Sequence, residues 1–85
     1  MTHTITVRLF AQLRELSGTE VFDHAVPPEG QSLETVLAAL EQSPLLAGLL
    51  AGARIMTAVN QTMVRSSHHL VPGDELALFP PVTGG

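Results

Sequence analysis

The stretch SLETVLAAL, residues 32–40, decides how the rest of the chain is read. Leu33, Val36, Leu37 and Leu40 recur at the i, i+3, i+4, i+7 spacing that lines one face of a helix with apolar side chains. Ser32 stands just ahead of them, where a hydroxyl can accept an otherwise unpaired backbone N–H. Glu34 falls in the first turn, where the helix dipole favours negative charge. Pro44 follows and marks the end. The sequence therefore predicts one main helix. Residues 45–53 are apolar and fit either a short second helix or an apolar loop.

On both sides of this helix the period changes from 3.6 to 2. In TITVRLF (residues 4–10), Ile5, Val7 and Leu9 face one way and Thr4, Thr6 and Arg8 the other, as in a half-buried strand. SGTE (17–20) is a turn signal. EVFDHAV (20–26) reads as a second strand, stopped by Pro27, Pro28 and Gly30. The short connection suggests an antiparallel hairpin. After the helix, RIMTAVNQTMV (54–64) reads as strand, turn, strand, with Asn60 tolerating the positive φ of a tight turn. VPGDE (71–75) carries the Pro72-Gly73 pair of a type II turn. ELALF (75–79) alternates again, Leu76 and Leu78 on one face, until Pro80, which has no N–H for a ladder. The order β-β-α-β-β-β predicts an α+β domain of the β-grasp, ubiquitin-like kind. A five-stranded mixed sheet over residues 1–79 packs on one main helix, and an extended, flexible Gly-Gly tail follows over residues 80–85.

Composition narrows the function. The chain has 85 residues, 45% of them hydrophobic, with three Phe and no Tyr or Trp, so aliphatic side chains must fill a modest core. There is no cysteine, which removes disulfides, thiolate metal sites and a thiol nucleophile. Eight acidic residues against four arginines give a net charge of −4, and there is no lysine. Nucleic-acid binding is disfavoured and a partner with a basic patch is favoured. No signal peptide is evident, and the apolar run at residues 44–53 is too short to span a membrane. A cytoplasmic protein is expected.

Side-chain chemistry is sparse. No nucleotide-binding motif is present. His68 and His69 form the single histidine cluster, without a third ligand nearby in sequence, and read as loop residues. His3 and His24 fall on predicted strands and read as exposed-face residues. Asp74 and Glu75 read as a solvated acidic pair. None of Ser17, Ser32, Ser43, Ser66 or Ser67 has a nucleophile-elbow context. The chain is expected to have no active site, cofactor or metal of its own.

One reactive group remains, the α-carboxylate of Gly85. Pro80 and Pro81 end the last strand and favour a stiff, extended exit. Gly84 and Gly85 let the backbone pass a narrow channel. Such a tail suits delivery of a carboxylate into a site on another protein.

LFAQLREL (9–16), AVNQTMV (58–64) and GDELALFPPVTGG (73–85) occur in the order found in the MoaD family, the small subunits of molybdopterin synthase, which this chain strongly resembles. The resemblance implies that a MoeB-like activating enzyme adenylates Gly85 with ATP and that sulfur then replaces the adenylate, giving a thiocarboxylate. It implies that the tail enters a MoaE-like large subunit, which holds the pterin substrate, cyclic pyranopterin monophosphate, in a heterotetramer. By the same resemblance Gly85 carries the sulfur and Gly84 leaves its approach clear. Phe79, Pro80, Pro81, Val82 and Thr83 line the exit, and Phe10, Arg14 and Met63 are partner contacts. The alternatives are a ThiS-like or cysteine-synthesis sulfur carrier, a ubiquitin-like protein modifier, and a plain β-grasp binding module.

Overall fold

The computed structural model describes residues 3–43, 46, 55–65 and 67–80. Along the chain run β1 (Thr4–Leu9), α1 (Gln12–Ser17), β2 (Val21–Ala25), β3 (Gln31–Ser32), α2 (Leu33–Glu41), β4 (Met56–Val59), β5 (Thr62–Met63), β6 (His69–Leu70) and β7 (Glu75–Phe79). Five strands form one sheet in the order β2-β1-β7-β4-β5, and β3 and β6 form a separate two-stranded ribbon. β1 and β7 pair in parallel at the centre, and the other pairings are antiparallel. This mixed sheet with one main helix is the expected β-grasp.

The alternation read from the sequence is the alternation of burial. Ile5, Val7 and Leu9 are sealed from solvent, while Thr4, Thr6 and Arg8 are partly exposed. Register places Val7 opposite Leu76 and Leu9 opposite Leu78, so the two central strands present four aliphatic side chains to the same side. Leu33, Val36 and Leu40 of α2 close over them, joined by Val59, Leu70 and Leu46. Each fully buried Leu contributes about 1.5–3 kcal/mol of transfer free energy, so aliphatic packing dominates the core, with Phe22 packed against it. Leu37 sits at the rim of this core, half-buried. Ser32 caps α2 as expected, accepting the Thr35 N–H at 3.2 Å.

In its elements and turns the structure differs from the sequence reading in three places. The β1–β2 connection holds the six-residue helix α1, which buries only Leu13 and is too short to show a period. The β3–β6 ribbon is also additional. It tucks the entrance of α2 beneath the β6 segment, with the Leu33 N–H donating to the His68 carbonyl at 2.7 Å. Gly30 makes this approach feasible: its φ is +82°, and a Cβ there would strike the Leu70 carbonyl. Finally, Asp74 and Glu75 are not simply solvated. Asp74 accepts the Val71 N–H and the Asn60 side-chain amide, both at 3.0 Å, and Asn60 in turn accepts the Glu75 N–H at 3.0 Å. Two turns are thereby tied together, the β4–β5 turn with Asn60 and Gln61 at φ 50° and 72°, and the β6–β7 turn with Gly73 at φ 93°. The alternative readings of residues 45–53 lie outside the described residues, apart from Leu46.

Candidate functional site

The sheet has two faces, and α2 covers one. The uncovered face is set by the same pleat. Because Leu76 and Leu78 point inward, Glu75, Ala77 and Phe79 point outward. Because Val59 faces the core, Ala58 and Met56 face away from it. Register then fixes their neighbours: Arg8 opposite Ala77, Ala58 opposite both Ala77 and Met63, and Met56 opposite Phe79.

This pattern makes a groove of about 470 Å³ lined by Arg8, Phe10, Ala58, Gln61, Met63, Glu75, Ala77 and Phe79. Its floor is low because two central positions carry alanine. Its walls are high because larger side chains flank them. Phe10 and Phe79 stack on one side, ring centroids 4.6 Å apart and planes 13° from parallel. Arg8 Nε donates to Glu75 Oε2 at 3.0 Å. Both partners are substantially solvated, so the pair adds little stability and mainly keeps two charges matched beside an apolar surface.

Several large apolar side chains stay accessible on this face: Phe10 at 38%, Met56 at 44% and Met63 at 55% exposed. A contiguous apolar surface of this kind is characteristic of a protein contact. Val21 extends it, lying opposite Arg8 on the edge strand.

Of the residues singled out from the sequence, Phe10, Met63 and Phe79 come together in the groove, and Pro80 follows directly, half-buried. Arg14 does not join them. It lies exposed on α1, where its carbonyl accepts the Gly18 N–H that ends the helix. Pro81, Val82, Thr83, Gly84 and Gly85 lie outside the described residues. Arg8, Met56, Ala58, Gln61, Glu75 and Ala77 were not singled out as site residues. Apart from Gln61, which lies in the β4–β5 turn, the signal for them was present in the outward half of each strand's alternation, but their convergence depends on the parallel β1–β7 pairing.

His24 lies opposite Ile5 and is half-buried on the core side of the sheet rather than on its exposed face. The strand phase that puts Phe22 against the core carries His24 with it, and burial lowers its pKa from the ordinary 6.5. His69 Nε2–H donates to the Glu29 carbonyl at 2.7 Å. Among the described residues, no three His, Asp or Glu side chains group as metal ligands, and no helix is long and apolar enough to cross a membrane. What these residues offer is a docking face at the root of the C-terminal segment.

Comparison with known proteins accounts for that combination. The model of the ThiS family matches residues 7–85. The chain is 46% identical over 82 residues to the molybdopterin synthase sulfur carrier subunit of Escherichia coli (strain K12), covering 95% of this chain and 99% of that relative. The crystal structure of SAMP1 from Haloferax volcanii superposes with a TM-score of 0.81 at 30% identity, over 96% of this chain and 99% of the other. A chain in the complex of subunits 1 and 2 of the molybdopterin-converting factor from Helicobacter pylori superposes with a TM-score of 0.68 at 25% identity, over 96% and 99%. With likeness running from the first strand to the final glycine, the chain belongs to the ThiS/MoaD family.

Proposed function

We propose that this protein is the sulfur carrier subunit of a molybdopterin synthase. The single observation that carries the reading is its identity, over nearly the whole of both chains, to a carrier of that name. The uncovered groove and the Gly-Gly terminus support it physically, since a carrier needs a docking face and a reactive end but no catalytic side chains of its own.

The chemistry then proceeds at one carbon. A Gly85 carboxylate oxygen attacks the α-phosphorus of ATP on a MoeB-like activating enzyme, and pyrophosphate leaves. The carboxylate is a poor electrophile, and the acyl adenylate has a good leaving group. A sulfur nucleophile displaces AMP to give a terminal thiocarboxylate. On a MoaE-like large subunit, that sulfur bonds to a side-chain carbon of cyclic pyranopterin monophosphate as the oxygen held by that carbon departs, and water hydrolyses the resulting acyl thioester, restoring the Gly85 carboxylate. Two transfers build a dithiolene. Pterin-binding and acid–base groups belong to the large subunit. In this reading Phe10, Arg14, Met63, Phe79 and Pro80, together with Pro81, Val82 and Thr83, make the contacts. Gly84 leaves the reacting carbon unobstructed.

The test is intact-mass measurement after incubation with activating enzyme, ATP and sulfide, followed by addition of large subunit and substrate. One oxygen replaced by sulfur, then lost as dithiolene forms, is expected. A mass that never changes overturns the proposal. The likeness to SAMP1, whose name stands for small archaeal modifier protein 1, favours a second reading as a protein modifier, which would instead give isopeptide adducts.

A further inference from the structure

We infer that Phe10 is a positioning residue for sulfur transfer, acting through Phe79 to set the direction in which the chain leaves the sheet. The inference rests on the carrier reading above. It follows from how unevenly the end of β7 is held. On one side, Phe79 is paired with Met56 of β4. On the other, the ladder with β1 ends one residue earlier, at Leu9 opposite Leu78, and a final bond runs from the Phe10 N–H to the Leu78 carbonyl at 3.2 Å. Past that bond, the contact that steadies Phe79 from the β1 side is the Phe10 ring, stacked at 4.6 Å. Pro80 follows and has no N–H with which to extend either ladder.

The backbone is bent to place that ring. Ala11 has φ 52° and ψ −128°, a conformation natural to glycine and strained for alanine. The Leu13 N–H donates to the Phe10 carbonyl at 3.1 Å, closing a tight turn with Ala11 at its strained corner. The chain thus leaves the sheet immediately after Phe10, and the ring stays beside Phe79. A stack that served only the core would be buried, yet Phe10 is 38% exposed. Its geometry is spent at the base of the tail.

For a group reacting in a partner's site, aim matters. A misplacement near 1 Å can cost up to roughly 100-fold in rate. The test compares Phe10→Leu, which keeps apolar bulk but removes the flat ring, with Phe10→Tyr, which restores it. Thiocarboxylate forms of each are mixed with large subunit and substrate, and affinity and the rate at saturation are measured separately. Phe10→Leu is expected to lose on the order of tenfold in saturating rate, with affinity changed less, and Phe10→Tyr to recover the rate. An unchanged saturating rate, a loss confined to affinity, or no rescue by tyrosine overturns the inference. A second measurement needs no sulfur chemistry: the residual dipolar coupling of the Phe79 amide in the isolated chain. It should shift in Phe10→Leu and return in Phe10→Tyr. An unmoved coupling also overturns the inference, even where a wild-type chain that transfers no sulfur has already refuted the carrier reading.

Discussion

Ala11 holds a positive-φ backbone conformation natural to glycine, which costs an alanine about 1–3 kcal/mol. Glycine would relieve that strain but lose about 0.5–1 kcal/mol to extra freedom in the unfolded chain. Ala11→Gly should therefore be more stable by about 1 kcal/mol, a rise of several degrees in thermal midpoint for a domain this size, measured by calorimetry. His24 makes a prediction of opposite character. Its folded pKa lies below its ordinary 6.5 because burial desolvates the ring. The unfolded chain then binds the proton more readily. Stability contributed by neutral His24 is complete above about pH 6.5 and falls as pH drops toward the lower folded value. Denaturant midpoints should decline across that interval in the wild type and decline less in His24→Gln. Sequence reading missed both features for one reason. An alanine in a glycine conformation and a histidine on the core side are consequences of where a turn falls and which phase a strand takes. Asn60 was legible because its side chain itself favours the positive φ it adopts.

At the scale of elements, the legible parts were those long enough to repeat their own period more than once. α2 has a capped start and an apolar face that repeats over nine residues, and β1 and β7 alternate over six and five residues. α1, β3 and β6 have six, two and two residues, and form because neighbours satisfy their backbone groups. The groove belongs to the second kind. Phe10, Met63 and Phe79 could be singled out separately, whereas the alanine floor required knowing that β7 lies between β1 and β4. The α2 cap gives an element-level test. Ser32 accepts the Thr35 N–H and bonds the Thr35 hydroxyl at 2.9 Å. Ser32→Ala should cost about 1 kcal/mol, seen as a lower urea midpoint with an unchanged slope. A change in slope would mean that β3, which shares Ser32, unfolds with it.

At the scale of the molecule, the described core and the proposed reacting group occupy separate parts of the chain. Among the described residues the buried aliphatic core runs as far as Leu78, and the carbon proposed to react lies seven residues further on. Six residues from Pro80 onward reach roughly 20 Å when extended, at about 3.3–3.6 Å each. One residue added after Gly85 would carry the terminal carboxylate about another 3.5 Å, several times the misplacement that already slows an oriented reaction severely. It would leave every described core contact and the whole groove intact. The extended protein should melt at the wild-type temperature and bind the large subunit with affinity within a few-fold, yet form no thiocarboxylate with activating enzyme, ATP and sulfide. Intact mass, calorimetry and a binding titration on the same preparation decide the matter. Full thiocarboxylate formation by the extended chain would show that the terminal position is not what the activating enzyme measures. Loss of binding would show instead that the terminus, and not the sheet face, provides the grip.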